Sequence, residues 1–211
     1  MEPYLLSKAR MVPGVIGMIE WWETETHVVI VMERPAGYVS LDDFIDSRGR
    51  LEEWEAKIIM SQLTITSNGL LDLGIFHGDM KPGNILINAE NLIVRFIDFG
   101  LATVAKTLNG GRFGTAAYSS PEMLSNSSYT AQGATVWSLG VLLLKMLTGC
   151  NQFFSDERIL LGEHYIPSFA SNRCHKVIER CLCMSPCSRP TTRRLLQFSF
   201  FKNWSKKQKA L

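Results

Sequence analysis

HGDMKPGNILIN, residues 77–88, is followed after a short polar break by LIVRFIDFG, residues 92–100. Ile85 to Ile87 and Leu92 to Ile97 are apolar, β-branched runs joined through Asn88 to Asn91, the pattern of a strand, a turn and a second strand. Asp79 and Lys81 precede the first strand, Asn84 opens it and Asp98 closes the second. The hairpin is therefore expected to bring separated polar side chains together at one end. Mg²⁺ takes a few hard oxygen ligands and leaves other positions to water and phosphate, which suits one amide and one carboxylate, Asn84 and Asp98. A second carboxylate, Asp79, can accept a hydroxyl proton, and Lys81 can neutralise a moving phosphoryl group.

Histidine, aspartate, lysine and asparagine in the order HxDxKxxN, followed by Asp98, Phe99 and Gly100, resemble the protein-kinase catalytic loop and its metal-binding triplet. Gly78 and Pro82 are also similar to the HGDxxPxN loop of small-molecule phosphotransferases of the aminoglycoside and choline kinase type. GTAAYSSPE, Gly114 to Glu122, separates the two, because it resembles the activation segment and substrate-docking loop that only protein kinases carry. The resemblance implies that Thr115 hydrogen-bonds near Asp79 and Lys81, and that Gly114 and Tyr118 shape a peptide pocket. Lys81 with Thr115 favours serine/threonine substrates. His77 and Phe99 take structural roles, and Glu122 is expected to form a buried ion pair with Arg189.

The chain has 211 residues, 46% of them hydrophobic, enough for one sizeable core. A net charge of +2 provides no strong field for nucleic acid or anionic membrane, and Lys202, Lys206, Lys207 and Lys209 read as a solvated basic tail. The longest apolar run, near Val136 to Leu144, stops at Lys145 and is too short to span a bilayer. No signal region is evident, so a cytoplasmic protein, also found in the nucleus, is expected. Five cysteines fit reduced thiols better than a disulfide framework. A zinc site using His164 or His175 is the alternative for the late cysteine cluster, although no CxxC pair occurs.

In chain order, a helix is expected near Met1 to Met11, and strands over Val15 to Trp22 and His27 to Met32 around Glu23 to Thr26. Glu33 to Gly37 is a linker, and ERP after VVIVM is similar to the hinge of the PIM family of serine/threonine kinases. There the Glu33 carbonyl would accept from adenine, which would lie between Leu86 and Ile97, while Pro35 lacks an N–H to donate. Ser40 caps a helix ending at Gly49, with Asp43 as its capping-box acid. The resemblance makes Asp43 a contact for basic substrates; a solvated face of Asp42, Asp43 and Asp46 is the simpler reading. Glu52 to Leu73 is a long helix with Trp54, Ile58, Ile59 and Leu63 inward, expected to fray at Asn68 and Gly69. Thr103 to Arg112 is polar and read as mobile; Val136 to Leu147 is a central buried helix. Ser188 to Thr191 open the last helix, with Pro190 in its first turn.

Several positions depart from the family. No Gly-rich phosphate loop precedes Val15, and no VAIK-like strand supplies a lysine for the α and β phosphates. The chain is expected to start in the regulatory helix, with Glu2 in place of its glutamate and without a lysine partner. Gly78 stands where an arginine is usual, Thr135 where many kinases have an aspartate, and Pro82 and Gly83 where PIM kinases are acidic. The expected fold is α+β, a partial protein-kinase domain: a small-lobe remnant in 1–32, a hinge in 33–39, the helical large lobe in 40–202 and the tail in 203–211. The implied activity is PIM-like transfer from Mg-ATP to protein serine or threonine, by a monomer that binds neither nucleic acid nor membrane. A truncated kinase or pseudokinase acting as a docking module is the alternative, and an incomplete version of a longer kinase is a third.

Overall fold

The computed structural model describes residues 1–105, 107–108, 114–125, 127–150 and 155–202. Helix α1 (Glu2–Ala9) starts with Pro3 in its first turn, where no N–H is needed, and buries Leu5, Leu6 and Ala9 on one face. Strands β1 (Met18–Glu23) and β2 (Val28–Met32) pair antiparallel, with Trp21 opposite Ile30 and Trp22 opposite Val29. This hairpin is largely solvated; Ile19 is 68% exposed. Strand β3 (Tyr38–Ser40) leads into α2 (Leu41–Arg48), where Ser40 accepts from the Asp43 N–H and Gly49 ends the helix at φ +72°. The Ser40 hydroxyl also donates to the Asp43 carboxylate at 2.7 Å, so the capping acid acts through the hydroxyl.

Helix α3 (Glu53–Asp72) begins with a capping box between Glu52 and Glu55. Ala56, Ile59, Met60, Leu63 and Leu70 form its buried stripe. Trp54 does not join it and is 58% exposed, contrary to expectation. At about 100° per residue it lies roughly 200° around the axis from Ala56. Nor does the helix fray at Gly69. A Cβ there would fall 2.7 Å from Val12 Cγ1, so the glycine admits close packing. Asn68 is tied to Asp72 at 2.8 Å and accepts from the Thr192 hydroxyl at 3.0 Å.

After α3 come β4 (Ile75–Phe76), β5 (Ile85–Asn88), β6 (Val94–Phe96), β7 (Thr103–Val104) and β8 (Thr107–Leu108). Strands β3, β5 and β6 make a three-stranded antiparallel sheet, β4 pairs with β7, and β8 pairs with β9 (Tyr129–Thr130). The stretch read as mobile thus holds two short strands, while Gly110, Gly111 and Arg112 lie outside the described residues, as does the tail 203–211. Helix α4 (Pro121–Leu124) precedes α5 (Ala131–Thr148), which α6 (Asp156–Leu161), α7 (Asn172–Cys181) and α8 (Thr192–Leu195) follow.

Helix α5 is the centre of the core. It packs on α3 and α7, and Val136, Trp137, Leu139, Leu142, Leu143, Met146 and Leu147 are wholly buried. Its 18 residues are longer than the apolar run suggests and would suffice, by length and composition alone, to cross a bilayer; here they are mostly covered by protein. Pro190 precedes the Thr191 cap of α8 and so stands outside the helix, because Pro186–Ser188 form their own single turn first. The result is the expected α+β fold.

Candidate active site

The β5–β6 hairpin sets the site. Asn88 Oδ1 accepts the N–H groups of Glu90 and Asn91 at 3.0 and 3.2 Å, and Leu92 turns the chain at φ +58°. The register places Ile85 opposite Phe96, and the Ile97 N–H bonds to the Asn84 carbonyl at 3.0 Å. Asn84 and Asp98 are therefore brought to the same end, as expected. Alternation buries Ile85, Ile87, Val94 and Phe96 on one face. Leu86 and Ile97 share the other, half-buried face with Arg95.

Asp79, only 8% exposed, is the hub. Its Oδ1 accepts from the Thr115 N–H at 2.8 Å and the Thr115 hydroxyl at 2.9 Å. Its Oδ2 accepts from Asn84 Nδ2 at 2.8 Å and pairs with Lys81 Nζ at 2.9 Å. Lys81 also donates to Thr115 Oγ1 at 2.9 Å, which closes a ring of Asp79, Lys81 and Thr115 with Asn84 attached through Asp79. Burial pushes the Asp79 carboxyl up, but the hydrogen bonds from Lys81 and Thr115 and the Lys81 charge outweigh it and hold it below its ordinary value. The group is an oriented carboxylate at neutral pH.

His77 Nδ1 lies 3.3 Å from the Asp79 N–H and can accept from it, while Nε2 lies 3.1 Å from the Ile97 carbonyl. Only the neutral Nε2–H tautomer satisfies both, and burial lowers the imidazole pKa accordingly. Its ring packs against Phe96 and Phe99, with centroids 5.4 and 4.9 Å away. Gly78 has φ +83°, and a Cβ there would fall 2.5 Å from the Leu101 carbonyl oxygen. Gly114, at φ +78°, presses in turn on the Gly78 carbonyl. These two glycines let the chain at Leu101 and at Gly114 meet the loop backbone to backbone.

Tyr118 is buried beside Asp79, Thr115 and Thr135, and burial raises its phenol pKa with help from the charges of Asp42 and Asp46. The expected acid Asp43 is exposed and bonded to Ser40. Asp42 and Asp46, each 3.4 Å from Lys145, are the acids Tyr118 feels. Lys145, the one charged residue of α5, was the available signal for that bridge. Glu122 and Arg189 form a bidentate pair at 2.6 and 2.9 Å, as expected. Glu33 is held through its own side chain: Oε1 accepts the Gly17 N–H at 3.0 Å, and its backbone N–H bonds to the Gly17 carbonyl at 2.8 Å. Glu2 accepts from the Phe99 N–H at 3.2 Å, a contact not foreseen from sequence.

Asn84 and Asp98 fit a magnesium ion by their donor sets. The Asn84 amide nitrogen is committed to Asp79, which leaves its Oδ1 as the outward hard ligand. Asp98 uses Oδ1 for the Gly100 N–H at 3.1 Å and keeps a second oxygen. Zinc is a different matter. His164 Nδ1 lies 3.0 Å from the Gly162 carbonyl and His175 Nε2 3.2 Å from the Pro167 carbonyl, and among the described residues no three His, Cys, Asp or Glu side chains gather into a metal site.

The model of the protein kinase domain matches residues 1–201. The serine/threonine-protein kinase prk-2 of Caenorhabditis elegans is 34% identical over 209 residues, covering 96% of this chain and 47% of that protein. The serine/threonine-protein kinase pim-2 of Danio rerio is 36% identical over 186 residues, 87% of this chain and 60% of that protein. Sperm motility kinase 3A of Mus musculus is 34% identical over 194 residues, 87% of this chain and 38% of that protein. The chain thus spans roughly half the length of the first two, by the shares just given.

Proposed function

The chain belongs to the protein kinase family, among serine/threonine kinases, and on that premise we propose that it transfers the γ-phosphoryl group of Mg-ATP to protein serine or threonine hydroxyls with PIM-like character. The cluster of Asp79, Lys81, Thr115 and Asn84 carries this reading. Asp79 orients the acceptor hydroxyl and takes its proton. Lys81 is placed to neutralise charge on the phosphoryl oxygens, and Thr115 holds both in register. Asn84 and Asp98 would hold Mg²⁺, which when bound supplies charge stabilisation to the phosphate oxygens. Leu86 and Ile97 offer the apolar platform for adenine, and Glu33 its carbonyl acceptor. Tyr118 and Gly114 border the peptide, with the α2 acids nearby to favour basic sequences.

A docking module without catalysis is the second reading. Transfer of labelled γ-phosphate from Mg-ATP to a serine/threonine peptide library, compared with Asp98→Ala, decides between them. Transfer that disappears in Asp98→Ala supports the kinase. No transfer by a folded chain that still binds peptide establishes the module instead.

A further inference from the structure

Strand β2 has one paired edge and one open edge. Its inner edge faces β1, and among the described residues no strand pairs with its outer edge. At one end of this ladder the Thr24 N–H bonds to the His27 carbonyl at 2.8 Å, and at the other the Glu33 N–H bonds to the Gly17 carbonyl at 2.8 Å. Residues of an antiparallel strand alternate between bonding toward their partner and away from it. His27, Val29, Val31 and Glu33 therefore bond toward β1, whereas Val28, Ile30 and Met32 direct their N–H and C=O groups outward. By the same alternation, Trp21 and Glu23 hold the outer edge of β1.

The two edges differ in what guards them. Charges, prolines and bulges keep open edges from pairing with other chains. The β1 edge has Glu20 and Glu23, with Glu25 just beyond, and an irregularity between Met18 and Glu20. Two copies of it would bring glutamates together. The β2 edge is VVIVM, residues 28–32, with no charge, no proline and no bulge, and Val28 is 50% exposed. It is also self-complementary. Turned about Ile30, a second copy sets Ile30 against Ile30, Val29 against Val31 and Val28 against Met32. Each facing pair is then apolar on both sides of the sheet, and the outward groups of Val28, Ile30 and Met32 meet their counterparts. A hairpin of two strands is a marginal sheet by itself, and here only Met18 and Ile30 pack against the main core, while Trp21 and Trp22 stay exposed.

We propose that two copies of this chain pair antiparallel through the outer edge of β2, about a twofold axis at Ile30, and form one four-stranded sheet in the order β1–β2–β2–β1. The dimer takes the place of the monomer expected from sequence. Trp22 lies opposite Val29 on the same face of the hairpin, so the partner's Val31 extends the apolar strip that begins at Trp22. The glutamates of β1 are left at the two outer edges, where they stop the sheet from growing further.

The test is sedimentation velocity of the full chain from about 1 to about 300 µM, the range in which a small, transient interface assembles, with hydrogen exchange recorded at both ends of it. The chain should pass from monomer to dimer. The amides of Val28, Ile30 and Met32 should exchange at least about fivefold more slowly in the dimer, while those of Trp21 and Glu23 keep their rates. Two double variants of equal polarity test the register. Val29→Lys with Val31→Lys sets lysine against lysine at both places and should weaken the dimer about tenfold or more. Val29→Lys with Val31→Glu sets lysine against glutamate and should stay within about threefold of the original chain. A chain that remains monomeric throughout, an assembly larger than a dimer, or protection at Trp21 and Glu23 in place of β2 would overturn the proposal. So would two double variants that associate alike. If either variant fails to fold, the exchange pattern of the original chain decides alone.

Discussion

Replacing Arg189 with methionine removes a charge while retaining most of the side-chain volume. In the folded chain Arg189 is 7% exposed and Glu122 9%. The guanidinium bonds both Glu122 oxygens, the Cys183 carbonyl at 2.8 Å and the Gly133 carbonyl at 3.1 Å, and lies 4.9 Å from the Trp137 ring centroid. Methionine can fill the space over Trp137 but supplies none of those donors, so a buried carboxylate and two carbonyls lose their partner. Stranding one member of a buried pair costs ~3–5 kcal/mol, a large part of the ~5–15 kcal/mol that stabilises a typical domain. At about 2–4 °C per kcal/mol for a chain of this size, the melting temperature should fall by about 6–20 °C. Urea unfolding followed by tryptophan fluorescence gives the free energy directly, with Trp137 as a local reporter. The double variant Arg189→Met with Glu122→Leu should recover part of the loss, since an apolar pair leaves no buried charge. A single-variant loss below ~1 kcal/mol, the range of a surface ion pair, would refute this account of the pair. So would a double variant no more stable than Arg189→Met.

Gly78→Arg restores the residue usual in the family, yet it should destabilise the chain by ~1–3 kcal/mol, because the backbone is at φ +83° and a Cβ meets the Leu101 carbonyl. Gly78→Ala should show most of the same loss in urea unfolding; an unchanged midpoint in both variants would contradict the close-packing argument. Lys81→Met should raise the Asp79 pKa, since burial then acts without the Lys81 hydrogen bond and charge that oppose it. In the original chain the depressed Asp79 pKa contributes stability that is present above its ordinary value of 3.8 and is lost as pH falls through the lower folded value. The destabilisation by Lys81→Met should therefore be larger near about pH 7 than near about pH 3. Equal losses at the two pH values would show that Lys81 does not hold the carboxyl down.

The elements legible in the sequence are those written in short-range chemistry. The β5–β6 turn follows from Asn88 bonding the next backbone groups, α2 from the Ser40 cap and Gly49, and α5 from an apolar run with nowhere to go but the core. Asp79, Lys81 and Asn84 lie within six residues of one another, so one loop conformation nearly suffices to gather them. Thr115 is 36 positions from Asp79 and could be placed there only by likeness to known kinases. Tertiary structure alone decided which way Trp54 faces, because periodicity orders the residues of a helix around its axis without saying which arc meets a neighbour. It also decided that Gly69 continues α3 against Val12, and that Gly78 is required by the Leu101 carbonyl. The Glu2 bond to Phe99 is of the same kind. Local propensity is a property of a few consecutive dihedral angles, whereas these contacts exist only after distant segments have packed, and their chemistry is written in neither segment by itself.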